Sequence, residues 1–474
     1  MSDRLLLRGA SAILTGLAGA ACRHAGPDIR VADGRIVALG ALQAKPDETV
    51  IDARECVIYP AWVNTHHHLF QSLLKGDPLG INQTLTPWLS AVPYRYRAAF
   101  DADLFRLAAR IGLIELALSG CATVADHNYL YAPQLGFDSS AILFEEASAL
   151  GLRLILCRGG QTRTRAVEAD LPRALQAETL DGYLRDVERL VASWHDPAAD
   201  SWRRVVAAPT TPLHAVHPHE LRIIAAEARR QGLHLHSHLS ETVSYQDAAA
   251  HDHGLTPVRF CAEHDWIGPD VSFAHLVKLD QEEIALLGST RTGIAHCPQS
   301  NGRLGSGIAP VVALAAAGAQ VGIGVDGAAS NEAADMISET HCAWLMQRAQ
   351  AGQGTRALCR GGAGEDHAAA AVSIEDIVRW GTAGGADLFG LHGVGRIAPG
   401  QAADLAVYRL DHPRYLGLID PAIGPVACAG AATLAVLLVG GRIVVRDGAI
   451  PDLDMAALAH SARVASSVLR DRVG

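Results

Sequence analysis

Residues 60–68 read Pro-Ala-Trp-Val-Asn-Thr-His-His-His, a short apolar strand that runs straight into three histidines. On a strand, residues i and i+2 face the same side, so His66 and His68 converge on one point while His67 turns away. Imidazole is a good ligand for zinc or iron, and such a pair supplies two of the bonds a metal needs. Three adjacent histidines alone also describe a polar loop. The rest of the chain decides between the two readings.

Between residues 60 and 390, short apolar strands alternate with longer segments of helical periodicity. Strands are expected at 63–68, 123–127, 152–157, 205–209, 233–238, 271–275, 292–296 and 320–326. Helices lie between them, for example at 104–119, 139–150, 219–231 and 281–287. Eight strand–helix units fit a closed parallel barrel better than an open doubly wound sheet. His66, His68, His127, His238, His275, His296 and Asp326 all end strands, on the barrel face where active sites are built. His238, His275 and Asp326 can complete a ligand set begun by His66 and His68, with one position left for water.

The flanks read differently. Strands are expected at 5–7, 29–31 and 35–39, the last after an Asp33–Gly34 turn, and again at 404–408, 435–439 and 442–445, with Gly440–Gly441 as a hairpin. The fold expected is a distorted (β/α)8 TIM-like barrel over residues 60–390. A small β-sandwich domain, formed from both chain termini, takes residues 1–59 and 391–474. The Gly/Ala-rich stretch 351–371 reads as a surface loop.

Composition narrows the function. The 474 residues are 49% hydrophobic and 19% charged with a net charge of −10, ordinary globular material without a basic tract for nucleic acid or an anionic membrane. Nine cysteines without a CxxC pair read as reduced thiols of a cytoplasmic protein. An apolar run at 13–22 resembles a leader, but Arg8 and Gly9 interrupt it, and no run reaches the ~18 residues of a membrane span. Gly322-Ile323-Gly324-Val325-Asp326-Gly327 matches GxGxxG, yet the glycines lie in the strand itself rather than opening a helix, which argues against a dinucleotide site. No lysine follows a suitable glycine run, there is no GxSxG, and the HxE with PCxxC that marks one class of zinc enzyme is missing.

At these residues the chain resembles the amidohydrolase superfamily. Residues 60–68 look like its HxH strand, His236-Ser237-His238-Leu239-Ser240-Glu241 like its HxxE element, and Phe273-Ala274-His275 like its sixth strand. His296-Cys297-Pro298-Gln299-Ser300-Asn301 and Gly324-Val325-Asp326-Gly327 resemble the seventh and eighth, and residues 395–404 the return into the small domain. The segments 66–75 and 125–129 are most similar to the aminohydrolase branch that deaminates isoxanthopterin and 8-oxoguanine.

The resemblance implies His66, His68, His238 and Asp326 as metal ligands, with Glu241, His275 and Asp326 handling protons and His275 near or on the metal. His234 and His236 share a face with His238; His238 is preferred because it ends the strand and stands three residues before Glu241, leaving His236 as a buried, hydrogen-bonded residue. Two-metal members of the superfamily bridge their ions with a carbamylated lysine on the fourth strand. Lysine occurs here only at 45, 75 and 278, so one divalent ion per chain is expected, zinc before iron.

The implied reaction is hydrolytic removal of a ring amine from a small fused bicyclic heterocycle, isoxanthopterin or a related oxidised pterin. Deamination of 8-oxoguanine or guanine is the alternative, as is hydrolysis of a cyclic amide or a chlorotriazine on the same site. Gln71 and Trp88, shortly after the first barrel strand, are candidate substrate contacts. A homo-oligomer is expected by resemblance. A scaffold that has lost catalysis is disfavoured, because no ligand is missing.

Overall fold

The protein is described here by a computed structural model covering residues 4–168, 171, 174–354, 372–430 and 433–474. The strands in chain order are β1 (Arg4–Arg8), β2 (Ala12–Ile13), β3 (Asp28–Ala32), β4 (Arg35–Gly40), β5 (Thr49–Asp52), β6 (Cys56–Pro60), β7 (Trp62–His67), β8 (Cys121–Asn128) and β9 (Arg153–Arg158). They continue with β10 (Arg203–Ala207), β11 (Leu235–Leu239), β12 (Val271–His275), β13 (Gly293–His296), β14 (Val321–Ile323), β15 (Leu405–Arg409), β16 (Leu434–Val439) and β17 (Arg442–Arg446).

Strands β7 to β14 close a parallel barrel in sequence order, with β14 returning to β7. Nearly all of their residues are buried, with Arg203 exposed and His238 half-buried, as expected of a parallel sheet covered on both faces. Val63, Ala125, Ile155 and Val206 share one cluster with Leu388, Phe389 and Leu391. That cluster closes the N-terminal end of the barrel and leaves polar side chains for the other end.

The helices between strands are set by local signals. Asp101 caps Ala102–Leu118 by accepting from the Leu104 N–H at 2.9 Å. Ser139–Leu150 stops at Gly151, whose φ of 70° suits glycine. Helix Met336–Gly354 runs four residues into the stretch read as a loop from its Gly/Ala content, passing Gly352 and ending at Gly354; alanine and glutamine there carry the helix propensity that glycine lacks. The remainder of that stretch, 355–371, lies outside the described residues.

Both chain ends supply β-sheet. The orders are β4-β3-β1-β5 and β17-β16-β15-β6-β2. Alternate residues explain how the second sheet serves two cores: Ile58, Leu405, Val407 and Leu438 pack with Leu7, Ile29 and Val31 of the first sheet, while Val57, Tyr59, Ala406, Tyr408 and Leu437 join the barrel's outer core. Trp62 Nε1 donates to Tyr408 Oη at 2.7 Å, and that hydroxyl donates to the Ser119 carbonyl at 2.8 Å. Among the described residues no helix is long and apolar enough to cross a membrane.

Candidate metal centre and active site

The C-terminal ends of the barrel strands bring His66, His68, His238 and Asp326 together, their donor atoms within 4.8 Å of one another. His66 Nε2 lies 3.1 Å from His238 Nε2, which lies 3.3 Å from His68 Nε2. Asp326 Oδ1 is 3.2 Å from His68 Nε2 and 3.5 Å from His66 Nε2. The outer nitrogens of two rings are already committed: His68 Nδ1 donates to the His127 carbonyl at 2.7 Å and His238 Nδ1 to the Thr210 carbonyl at 2.6 Å. In a neutral ring the remaining nitrogen then carries a lone pair.

Burial keeps the His66 and His238 rings neutral, pushing His66 down to about 4 and His238 well below its usual range. Lone pairs facing one another and a carboxylate across about 3 Å repel, unless a cation stands between them. Three imidazoles and one carboxylate make a donor set that zinc and iron accept. The residues present therefore fit a divalent ion. Burial alone would raise the Asp326 carboxyl, but its close approach to His66 and His68 outweighs burial and holds it well below the carboxylate range. Its Oδ2 accepts from Ser300 Oγ at 2.6 Å and Ser330 Oγ at 3.2 Å.

Glu241 and His275 stand beside this cluster. His275 Nε2 is 3.7 Å from Glu241 Oε2 and 4.0 Å from Asp326 Oδ2. His275 Nδ1 meets Asn301 Oδ1 at 2.9 Å, which turns the other ring nitrogen toward the two carboxyls. Burial raises the Glu241 carboxyl above its ordinary value, with His275 working against the rise, and Ser306 Oγ donates to its Oε1 at 3.1 Å. A carboxyl so placed can hold a proton and give it up.

Glu241, His275, His68, His238 and Asp326 line one cleft. Gln71 and Trp88 both line it. Trp88 Nε1 donates to the Ala329 carbonyl at 3.0 Å, so it offers the cleft ring surface rather than a donor. Gln71 Nε2 donates to Tyr129 Oη at 3.0 Å. Burial holds the Tyr129 phenol well above its usual range, so its proton stays available to donate onward.

The sequence reading gave no role to Tyr94, Arg165, Thr210, Thr211 or Tyr245, which also line the cleft. Arg165 Nη1 donates to Tyr94 Oη at 2.5 Å. The Arg97 guanidinium sits 4.3 Å over the Tyr94 ring and pairs with buried Glu168 at 2.6 Å, tying the loop after β9 to helix Pro93–Arg97. Arg165, Thr210 and Thr211 belong to loops and Tyr94 to a five-residue helix, where no periodicity marks them, while Tyr245 stands in the first turn of helix Val243–His253. Two other strand-end histidines stay out of the four-residue group: His127 Nε2 donates to the Ala208 carbonyl at 2.7 Å, and His296 is buried with neither ring nitrogen partnered.

The model of the amidohydrolase family matches residues 57–444. The chain is 61% identical over 472 residues to an isoxanthopterin deaminase from an unknown prokaryotic organism, an alignment spanning 99% of this chain and 98% of the relative. It is 38% identical over 444 residues to an 8-oxoguanine deaminase of Pseudomonas aeruginosa, across 93% of this chain and 94% of that one. The structure also superposes on the atrazine chlorohydrolase of Arthrobacter aurescens TC1, solved with zinc, at a TM-score of 0.85 and 25% identity over 98% of this chain and 100% of that one. This chain belongs to the amidohydrolase family.

Proposed function

We propose that the protein is a metal-dependent aminohydrolase that releases the ring amino group of isoxanthopterin, or a closely related oxidised pterin, as ammonia. The observation that carries this reading is the convergence of the His66–His68–His238–Asp326 cluster with Glu241, a carboxyl that burial raises, at one cleft. The 61% identity to an isoxanthopterin deaminase supports the choice of ring. One zinc ion per chain, held by His66, His68, His238 and Asp326, accords with the donor chemistry and with the lack of lysine in β10.

When bound, such an ion makes a water acidic enough to lose a proton near neutral pH. The chain's own groups do the rest. Asp326 takes the proton of the attacking water and passes it to the departing amine. Glu241 protonates the ring nitrogen next to the reacting carbon, so negative charge does not build up there. His275, oriented by Asn301, hydrogen-bonds the developing oxygen. The carbon–nitrogen bond then breaks, a ring carbonyl forms, and the hydroxyl proton released restores Glu241. At the far edge of the ring, Gln71 and the Tyr129 hydroxyl present a paired polar contact for a carbonyl and its neighbouring nitrogen.

The test is ammonia release across isoxanthopterin, 8-oxoguanine, guanine, cytosine and a chlorotriazine. Isoxanthopterin should give the highest kcat/KM, because a site built to hydrogen-bond ring oxygens rejects analogues lacking them by large factors. A higher kcat/KM for 8-oxoguanine would move the assignment to the purine. Chloride release without ammonia would remove the deaminase reading altogether.

A further inference from the structure

The histidines of the proposed metal set differ in what holds their outer nitrogens. His68 and His238 use backbone carbonyls. His66 does not: its Nδ1 meets His236 Nε2 at 2.9 Å, and His236 Nδ1 meets Ser272 Oγ at 2.8 Å. All three residues are buried. We propose that His236 and Ser272 are a positioning pair for His66, fixing its ring and tautomer so that Nε2 presents its lone pair to the cation site. This inference rests on the reading of His66 as a ligand.

Proton bookkeeping carries the argument. A neutral imidazole has one N–H and one lone pair. If His66 gives its Nε2 lone pair to an ion, its proton sits on Nδ1 and is donated to His236 Nε2. That uses the His236 lone pair, so the His236 proton sits on Nδ1 and is donated to Ser272 Oγ. One arrangement satisfies every nitrogen in the relay. Strand geometry supplies the parts, since His236 and His238 are i and i+2 on β11 and the β11–β12 register sets His236 opposite Ser272. One strand thus offers a ligand at one level and, one layer deeper, the group that aims the ligand from β7.

His66, His127 and His236 also have ring nitrogens close enough to suggest a second ion. For that, His66 would have to offer lone pairs from both nitrogens at once, as an anion in a buried site already expected to hold one cation. The 2.9 Å contact between His66 and His236 is instead an ordinary hydrogen-bond length.

The experiment is chelator competition for zinc on the intact protein, with cobalt substitution to read the ligand field. Partners of this kind are typically worth 10–100-fold in metal affinity. His236→Ala should weaken zinc by about that factor and shift the cobalt spectrum. His236→Gln, whose amide oxygen can accept from His66 Nδ1, should recover most of the loss, and Ser272→Ala should show a smaller fall. If His236→Ala does not fold, the Gln and Ser272 variants carry the comparison, because both keep the local volume. His68→Ala is the control and should lose the ion. Wild-type affinity in the His236 and Ser272 variants, with the ion lost from His68→Ala, overturns the positioning pair alone. Retention of the ion by His68→Ala would instead bring down the metal-site reading. Two zinc ions per chain, one of them lost on His236→Ala, would also overturn the proposal, because the inner histidines would then be ligands.

Discussion

Ser240, His275 and Asp326, each at or just past the end of a barrel segment, hold φ values of 51°, 77° and 60°. Left-handed backbone costs a non-glycine residue on the order of 1–3 kcal/mol, and persists only where the surroundings over-determine it. At Asp326 they do: its N–H donates to the His66 carbonyl at 2.9 Å, and its carboxylate is held by Ser300 and Ser330. The bend turns the carboxylate back over the barrel end, toward the histidines. Asparagine tolerates the same backbone, so Asp326→Asn separates charge from shape. It should weaken the ion and lower turnover at least as much as Glu241→Gln does. Glu241→Gln should keep the ion and lower kcat by on the order of 10²–10⁴, the usual worth of a positioned acid–base group; near-normal turnover would remove Glu241 from the reaction. At this scale the sequence was legible where chemistry and strand period coincide, as at His66, His68 and the His238–Glu241 spacing. It was silent about Tyr94, Arg165 and Thr211, since nothing in a loop's sequence says which way it folds over a barrel mouth.

The elements explain why some strand-end positions tolerate so little. Gly324, just beyond β14, lies against β7: a Cβ there would come within 2.7 Å of the His66 backbone nitrogen and 2.8 Å of its Cβ. The apparent GxGxxG motif is thus a demand for close approach between the first and last barrel strands, not a phosphate loop. Gly324→Ala should push His66 out of line, and elemental analysis should find less bound metal at unchanged secondary structure. Full occupancy would show that β14 can give way. Barrel strand positions were legible because the segments are short and apolar and end in polar groups. The expected eighth strand nevertheless ran to 326, whereas β14 pairs only over Val321–Ile323, because close packing and the turn at Asp326 end the ladder early. A second junction joins barrel to sandwich: buried Arg153 of β9 grips Asp404, before β15, through Nε at 2.7 Å and Nη2 at 3.1 Å. Removing one partner of a buried ion pair strands the other charge, so Arg153→Ala should cost about 3–5 kcal/mol in thermal or denaturant unfolding. A change under about 1 kcal/mol, the value of an exposed pair, would mean that water reaches Asp404.

For the whole molecule, we propose that residues 1–59 and 391–474 act as one unit around the 60–390 barrel, the chain leaving the sandwich at Pro60 and re-entering it near β15. The final helix, Met455–Val473, then departs from the sheets and packs along Ala102–Leu118 and Pro93–Arg97. Ala465 and Leu469 are its buried contacts, and Arg472 donates to the Ala99 carbonyl at 2.6 Å and to Asp101 Oδ2 at 2.7 Å. Helix Pro93–Arg97 carries Tyr94, which lines the cleft far in sequence from residue 455. The last helix therefore braces a helix that lines the cleft. An exposed pair such as Arg472–Asp101 is worth at most about 1 kcal/mol, so Arg472→Ala should raise KM by less than about 5-fold. Ending the chain at Asp452 also removes the burial of Leu469, worth roughly 1.5–3 kcal/mol for such a side chain, and should raise KM further. In both variants the bound metal should stay at the level of the intact protein. Loss of metal together with the rise in KM would show that the helix supports the barrel as a whole, and an unchanged KM in the shortened chain would show that Arg165 and the Arg97–Glu168 pair hold Tyr94 without the helix.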